Sequence, residues 1–289
     1  MDCVVTSPPY PMIGMWDESF SLRDAGVREA LHRGDGDAAW RAMHAVLEPV
    51  WAELFRVLAP GAFLCLNIGD AVRTVNSVFK LYPNHSFLEQ HLDDLGFDIL
   101  PRIIWRKTTN APNKFMGSGV LPAGAYVTLE HEYILILRKP GRRAFTAPAD
   151  KARRRRSALF WEERNTWYSD IWTLPGVFQQ RSAPGRARSG AFPFDLAYRL
   201  IAMFSLLGDT VLDPFLGTGT TLQAAAALGR NGIGVEIEPS LATEADRSFP
   251  GLTAGWAAYN RVRIESHLTF LNEHEASGKS ASYMNTVYG

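Results

Sequence analysis

The sequence predicts an α/β fold, a largely parallel or mixed sheet with helices on its faces, and three observations carry that expectation. Aliphatic strand-like runs alternate with amphipathic helical stretches along most of the 289 residues. Two strand ends are followed by special turns, Ser7-Pro8-Pro9-Tyr10 and the glycine-rich Asp213 to Thr221. At 46% hydrophobic and 21% charged residues, the chain can bury one large core, which excludes disorder throughout.

Residues 1 to 6, with "DCVVT", read as a strand ended by the prolines. Residues 38 to 58 set Trp40, Met43, Leu47, Val50, Leu54 and Val57 at helical spacing, with a kink expected at Pro49. Pro60-Gly61 stops that helix, and "AFLCLNIGD" follows as a buried strand. A polar-faced helix, "SFLEQHLDDLG", precedes two further strands, "FDILPRIIWRK" and "EHEYILILRK". Residues 139 to 190 break the pattern with prolines, glycines, arginines and aromatics, and read as an insertion. "FPFDLAYRLIAMFSLLGD" is a helix with Leu196, Leu200, Phe204 and Leu207 on one side, ended near Gly208. Strand "TVLDPF", loop "LGTG", helix "TTLQAAAALGR" and strand "GIGVEIE" then form a βαβ unit, and "YNRVRIESHLTFLNEHE" suits a last helix. This divides the chain into residues 1–138, an insertion at 139–190, and residues 191–289. No internal repeat is seen.

No apolar run approaches the eighteen or so residues of a membrane span, and "MDCVV" lacks the basic flank of a signal peptide, so the expectation is a cytoplasmic protein with no membrane partner. Cys3 and Cys65 lie in apolar runs and read as buried reduced thiols. The seven histidines show no HExxH or paired spacing, and no metal is expected. The neutral net charge is unevenly spread: residues 138 to 190 hold thirteen Lys/Arg against four Asp/Glu, so that segment is +9 and the remainder −9. Such asymmetry marks a face that meets a polyanion, or else a solvated loop.

Between Asp213 and Thr221 glycines let backbone approach a ligand, and the following helix offers unpaired N–H groups. The loop is not a Walker loop, because no Gly-Lys-Ser/Thr follows, nor a full GxGxxG, because Leu222 replaces the third glycine. Glu236 ends the next strand, where a carboxylate can accept hydrogen bonds from ribose hydroxyls, so an adenosine-containing ligand is favoured over a plain tight turn.

At the other motif, each proline pushes its predecessor into an extended conformation, holding the Ser7 hydroxyl and the Pro8 carbonyl rigid as two acceptors. A substrate group with two N–H donors fits them, and an exocyclic amino group of a nucleobase is one. Accepting from both protons would free the nitrogen lone pair for attack on an electrophilic methyl, while Tyr10 stacks on a flipped base. The bland alternative is a rigid turn with Tyr10 as ordinary core.

Together the two motifs resemble the β group of S-adenosylmethionine-dependent DNA methyltransferases that modify cytosine N4 or adenine N6. Their catalytic motif Asp/Asn/Ser-Pro-Pro-aromatic corresponds to Ser7, Pro8, Pro9 and Tyr10, and their cofactor motif Asp-Pro-Phe-x-Gly-Ser/Thr-Gly-Thr to Asp213 through Thr220. "ELFRVLAPGAFLCLNIGD", "GFDILPRIIWRKTTNAP", "EHEYILILRKPG", "SDIWTLP" and "FPFDLAYRLIAMFSLLGDTVLDPF" look like successive segments of the same family, over most of residues 1 to 250. The resemblance implies a Rossmann-like methyltransferase sheet in circularly permuted motif order, so that Ser7 and Asp213 lie on neighbouring strands at one edge.

It also implies site residues: Asp213, Phe215, Gly217, Gly219, Thr220 and Glu236 for S-adenosyl-L-methionine, with Phe192 and Pro193 at its methionine end. The target-recognition region would fall near 140 to 188, with Arg153, Arg154, Arg155 and Arg156 on phosphates and Trp161, Trp167 or Arg181 at base edges. Duplex DNA is the implied partner, a restriction-modification system the implied setting, and a homodimer a further expectation. Serine at position 7 leans toward cytosine N4 and leaves adenine N6 open. Carbon-5 methylation is disfavoured, because neither Cys3 nor Cys65 follows a proline. Competing readings are a methyltransferase for RNA or a protein glutamine amide, and a DNA-binding regulator with a dead fold. The family often carries a cofactor-contacting segment ahead of the catalytic strand, so either C-terminal residues supply that edge or the natural start lies upstream of Met1.

Overall fold

The computed structural model describes residues 1–107, 116–117, 121–177, 192–248 and 253–278. Strand β1 (Cys3–Thr6) leads through the proline turn to α1 (Asp17–Ser21), α2 (Ala25–Arg33) and α3 (Gly36–Val57), then β2 (Phe63–Ile68), the hairpin β3 (Ala71–Val75) and β4 (Val78–Tyr82), and α4 (Asn84–Asp94). Next come β5 (Asp98–Lys107), the short pair β6 (Met116–Gly117) and β7 (Ala125–Tyr126), β8 (His131–Arg138), α5 (Pro148–Arg156), α6 (Trp161–Trp167) and β9 (Ile171–Leu174). The chain then forms α7 (Phe194–Phe204), β10 (Thr210–Asp213), α8 (Thr220–Ala227), β11 (Asn231–Gly234), α9 (Pro239–Ser248) and α10 (Thr253–Ala276).

Seven strands make one sheet in the order β11-β10-β1-β2-β8-β5-β9, with β8 antiparallel to both its neighbours and the other pairs parallel. The first strand in sequence is therefore central, flanked by a strand from the last third of the chain. All four residues of β1 are buried, as expected of a strand covered on both faces. Strand alternation sends Val4, Leu64, Leu66 and Leu212 to a core shared with α2, α3 and α4, and Cys3, Val5, Cys65 and Val211 to a second core shared with α6, α7 and α8. Both cysteines are buried and free.

Helix α3 runs through Pro49 without ending. The hairpin β3–β4 has no counterpart among the sequence-based expectations. Asn76 and Ser77 both adopt left-handed backbone, φ 47° and 64°, the geometry of a two-residue hairpin turn. The segment read as an insertion is partly built into the main body. Residues 171 to 174 add β9 to the sheet beside β5, and Trp167, Trp172 and Leu174 are buried in the second core. Trp105 Nε1 donates to the Leu174 carbonyl at 3.0 Å, which ties the two strands at their ends. Among the described residues no helix is long and apolar enough to cross a membrane.

Candidate active site

Strands β1 and β10 are paired in parallel, Cys3 with Val211 and Val4 with Leu212, so the turns that follow them open at the same C-terminal edge of the sheet. The two motifs touch there. Thr6 Oγ1 donates to Asp213 Oδ1 at 2.6 Å, and Thr221 Oγ1 donates to Asp213 Oδ2 at 2.6 Å. The Phe215 N–H gives Asp213 a third donor at 3.0 Å. Burial nonetheless dominates and pushes the Asp213 carboxyl up to about 6, with the hydroxyl and backbone donors opposing it.

The loop after β10 holds two glycines in left-handed backbone, Gly217 at φ 56° and Gly219 at φ 86°. A Cβ at Gly219 would come 3.2 Å from Ala245 on α9, so that glycine serves packing. A Cβ at Gly217 would meet nothing within 4 Å, so the loop borders open space on that side. Glu236, after β11, turns toward this loop: Oε2 accepts the Gly217 N–H at 2.7 Å, and Oε1 accepts the Glu238 N–H at 2.9 Å. Phe215 packs against the first core, its ring 6.0 Å from Trp51. Thr220 opens α8. Phe192 is buried and Pro193 caps α7. That helix runs back to the N-terminal end of β10, so its start lies at the same edge as the loop.

At the end of β1, Ser7, Pro9 and Tyr10 are half-buried and Pro8 is buried. Ser7 Oγ lies 3.0 Å from Tyr10 Oη, which lies 2.8 Å from Glu132 Oε2 on β8. Asn67 on β2 donates from Nδ2 to both, at 2.7 Å each. Lys107, at the end of β5, pairs with the other Glu132 oxygen. Gly69 lets the tyrosine ring lie here, since a Cβ would stand 2.9 Å from Tyr10 Cε2. Burial, then the Glu132 charge, hold the Tyr10 hydroxyl well above its ordinary pKa, so it is a neutral donor. Asn67, Lys107 and Glu132 are not among the candidates that the sequence singles out. They are far apart in the chain, and only the pairing of β2, β8 and β5 brings them together.

The arginine run sits elsewhere. Arg143 grips Asp209 with two bonds of 2.5 and 2.8 Å, and Arg153 lies 3.6 Å from the same carboxylate. Asp209 precedes β10, and Asp2, which accepts the Thr210 N–H at 2.9 Å, precedes β1. Helix α5 thus braces the N-terminal edge, one strand length from Ser7. Arg154 lies 4.8 Å over the Phe145 ring, and Arg155 and Arg156 close the same short helix. Trp161 is half exposed beside His274 of α10, to which α6 is clamped by the Glu163–Arg263 ion pair and by a hydrogen bond of 2.8 Å between His267 Nδ1 and Glu162 Oε1. Trp167 is 6% exposed and packs within the second core. Arg181 lies outside the described residues.

A family model described as DNA methylase matches residues 1–247. The chain is 48% identical over 289 residues to the Type II methyltransferase M.MthZI of Methanothermobacter thermautotrophicus, covering 98% of this chain and 81% of that protein. It is 49% identical over 249 residues to the Type II methyltransferase M.MjaI of Methanocaldococcus jannaschii, covering 82% of this chain and 81% of the relative. Among solved structures it is similar to TTHA0409 of Thermus thermophilus in complex with S-adenosyl-L-methionine, with 35% identity, a TM-score of 0.64, and coverage of 86% of this chain and 85% of that one.

Proposed function

We propose, from the premise that the chain belongs to the DNA methylase family, that Ser7 and the Pro8 carbonyl receive the exocyclic amino group of a flipped base while Tyr10 stacks on it. The protein is an S-adenosyl-L-methionine-dependent DNA methyltransferase of the cytosine-N4 and adenine-N6 class, with the Rossmann-like sheet of that class in permuted motif order. We place its work in the cytoplasm. Of the two bases we infer cytosine N4, because position 7 is serine.

The observation that carries this reading is the 2.6 Å bond from Thr6 to Asp213, which joins the amino-accepting turn to the glycine loop across adjacent strands. Gly217, Gly219 and the first turn of α8 would hold the cofactor, with Asp213, Phe215, Thr220 and Glu236 shaping the loop and Phe192 and Pro193 closing its far side. S-adenosyl-L-methionine, when bound, supplies an electrophilic methyl group. The chain's own part is to orient the amino nitrogen, draw its protons toward two acceptors, and exclude water with Tyr10 and the buried Pro8. Duplex DNA then approaches the C-terminal edge of the sheet, where β5 ends in the exposed Arg106 and in Lys107.

The test is methylation of duplex DNA with labelled cofactor, followed by digestion and mass identification of the modified nucleoside. N4-methylcytosine is expected. N6-methyladenine would keep the class and overturn the base assignment, and 5-methylcytosine, or label on RNA or protein alone, would overturn the reading of the site.

A further inference from the structure

The reaction leaves an unassigned proton. An exocyclic amino nitrogen that gains a methyl group must shed one of its hydrogens, because the nitrogen lone pair is needed again for conjugation with the ring. Ser7 is a poor base by itself. The hydrogen bonds around it show where a proton taken up by Ser7 can go.

Glu132 can only accept, so the single proton of the Tyr10 hydroxyl points to Glu132 Oε2 at 2.8 Å. The amide of Asn67 is fixed by the same carboxylate, since its Nδ2 lies 2.7 Å from Glu132 Oε2 and must donate to it. Tyr10 Oη is thereby left with acceptor capacity toward Ser7, and the Ser7 proton points to Tyr10 at 3.0 Å. With its proton directed to Tyr10, Ser7 Oγ keeps its lone pairs as acceptors. The chain of donors runs one way, from Ser7 to Tyr10 to Glu132, and ends on a carboxylate whose other oxygen is paired with Lys107. The Glu132 side chain is 15% exposed, which gives a route to solvent.

We propose that Ser7, Tyr10 and Glu132 form a proton relay that carries the amino proton away from the methylated base. This rests on the assignment of Ser7 as the amino acceptor. In the step, one N–H bond of the substrate breaks and its proton joins Ser7 Oγ, the original Ser7 proton joins Tyr10 Oη, and the original Tyr10 proton joins Glu132 Oε2. The base ends neutral, Ser7 and Tyr10 are regenerated, and Glu132 ends as a carboxylic acid that loses its proton to water. No further reactant is needed. Asn67 and Lys107 are positioning residues, one holding the tyrosine and carboxylate oxygens together, the other fixing the far oxygen of Glu132. Tyr10 thus has two separable tasks: its ring stacks, and its hydroxyl conducts.

Two variants separate these tasks. Tyr10→Phe keeps the ring and the Glu132–Lys107 pair and removes only the conducting oxygen, and Glu132→Gln keeps the shape and removes the acceptor. Proton NMR of the cofactor-free protein is expected to show a slowly exchanging, downfield hydroxyl proton on Tyr10 that disappears in Tyr10→Phe and moves upfield in Glu132→Gln. In single turnovers with saturating cofactor and DNA, each variant is expected to be slowed about 100- to 10,000-fold, the usual range for lost proton transfer. The double variant should be no slower than the worse single one, and DNA and cofactor affinities should be unchanged. Single-turnover rates equal to wild type in both variants, or losses that multiply in the double variant, would overturn the relay. If the wild-type protein itself transfers no methyl to DNA, the assignment of the site fails instead, so the two failures are distinct.

Discussion

Two aspartates mark opposite ends of strand β10, and they are treated differently. Asp209, at the N-terminal edge, is 1% exposed and is neutralised by the two-bond grip of Arg143 with Arg153 behind it. Asp213, at the C-terminal edge, is 2% exposed and is held by two hydroxyls and one backbone N–H. Its carboxyl is pushed up to about 6, as a charge that the fold tolerates without a cation. One edge is compensated internally and closes the sheet. The other keeps an uncompensated negative charge beside an open glycine loop, a setting that suits a cationic ligand.

The contrast can be broken most severely at the C-terminal edge. Tyr10→Ala is expected to cut methyl transfer by about 100-fold or more with cofactor affinity retained, measured by label transfer and calorimetry. Full activity in this variant would reduce the Ser7 turn to scaffolding. At the other edge, Arg143→Ala leaves a buried carboxylate poorly paired, and we expect a loss of about 3 kcal/mol in urea melts with an unaltered single-turnover rate in the folded protein. A catalytic defect there would mean that the edges are not independent.

Asp213→Asn sharpens the comparison through pH. Because the folded state raises this carboxyl from its ordinary value to about 6, its favourable contribution is present below pH 4 and is lost as pH rises through 6. Wild type should lose about 2 kcal/mol relative to the variant between pH 4 and pH 6, read from paired melts. The smallest effect is expected from Arg154→Ala, which removes a contact worth under about 1 kcal/mol with Phe145. The salt dependence of DNA binding should not change. A slope reduced by about one would instead put the arginine helix on phosphate.

Local patterning reveals those elements whose residues decide their own conformation. The prolines after Thr6, the helical spacing of Trp40 to Val57, and the βαβ unit around Asp213 all correspond to observed elements. The β3–β4 hairpin carries a readable signal in Asn76-Ser77 between two alternating runs, although Asn-Ser is a quieter turn than Asn-Gly. Strand β9 does not: four residues ahead of Pro175 become a strand because β5 offers them an edge. The site divides the same way. Ser7 and the glycine loop announce themselves by backbone chemistry, whereas Glu132 matters only because β8 runs antiparallel beside β2 and sets it near Tyr10. Charge counting finds the arginines and says nothing of which edge they brace.

The neighbourhood of β1 and β10 has a consequence for biogenesis. β1 leaves the ribosome well before β10, the partner on one of its sides, which begins at Thr210. At about 5–20 residues per second, roughly 10–40 s of synthesis separate the two. Through that interval the strand that leads into the Ser7 turn has an unpaired side, the kind of edge that invites pairing with another chain. Its closure by β10 is a long-range event, which makes this pairing a slow folding step, so the nascent chain cannot form the complete methyl-transfer site before β10 and the glycine loop have been made.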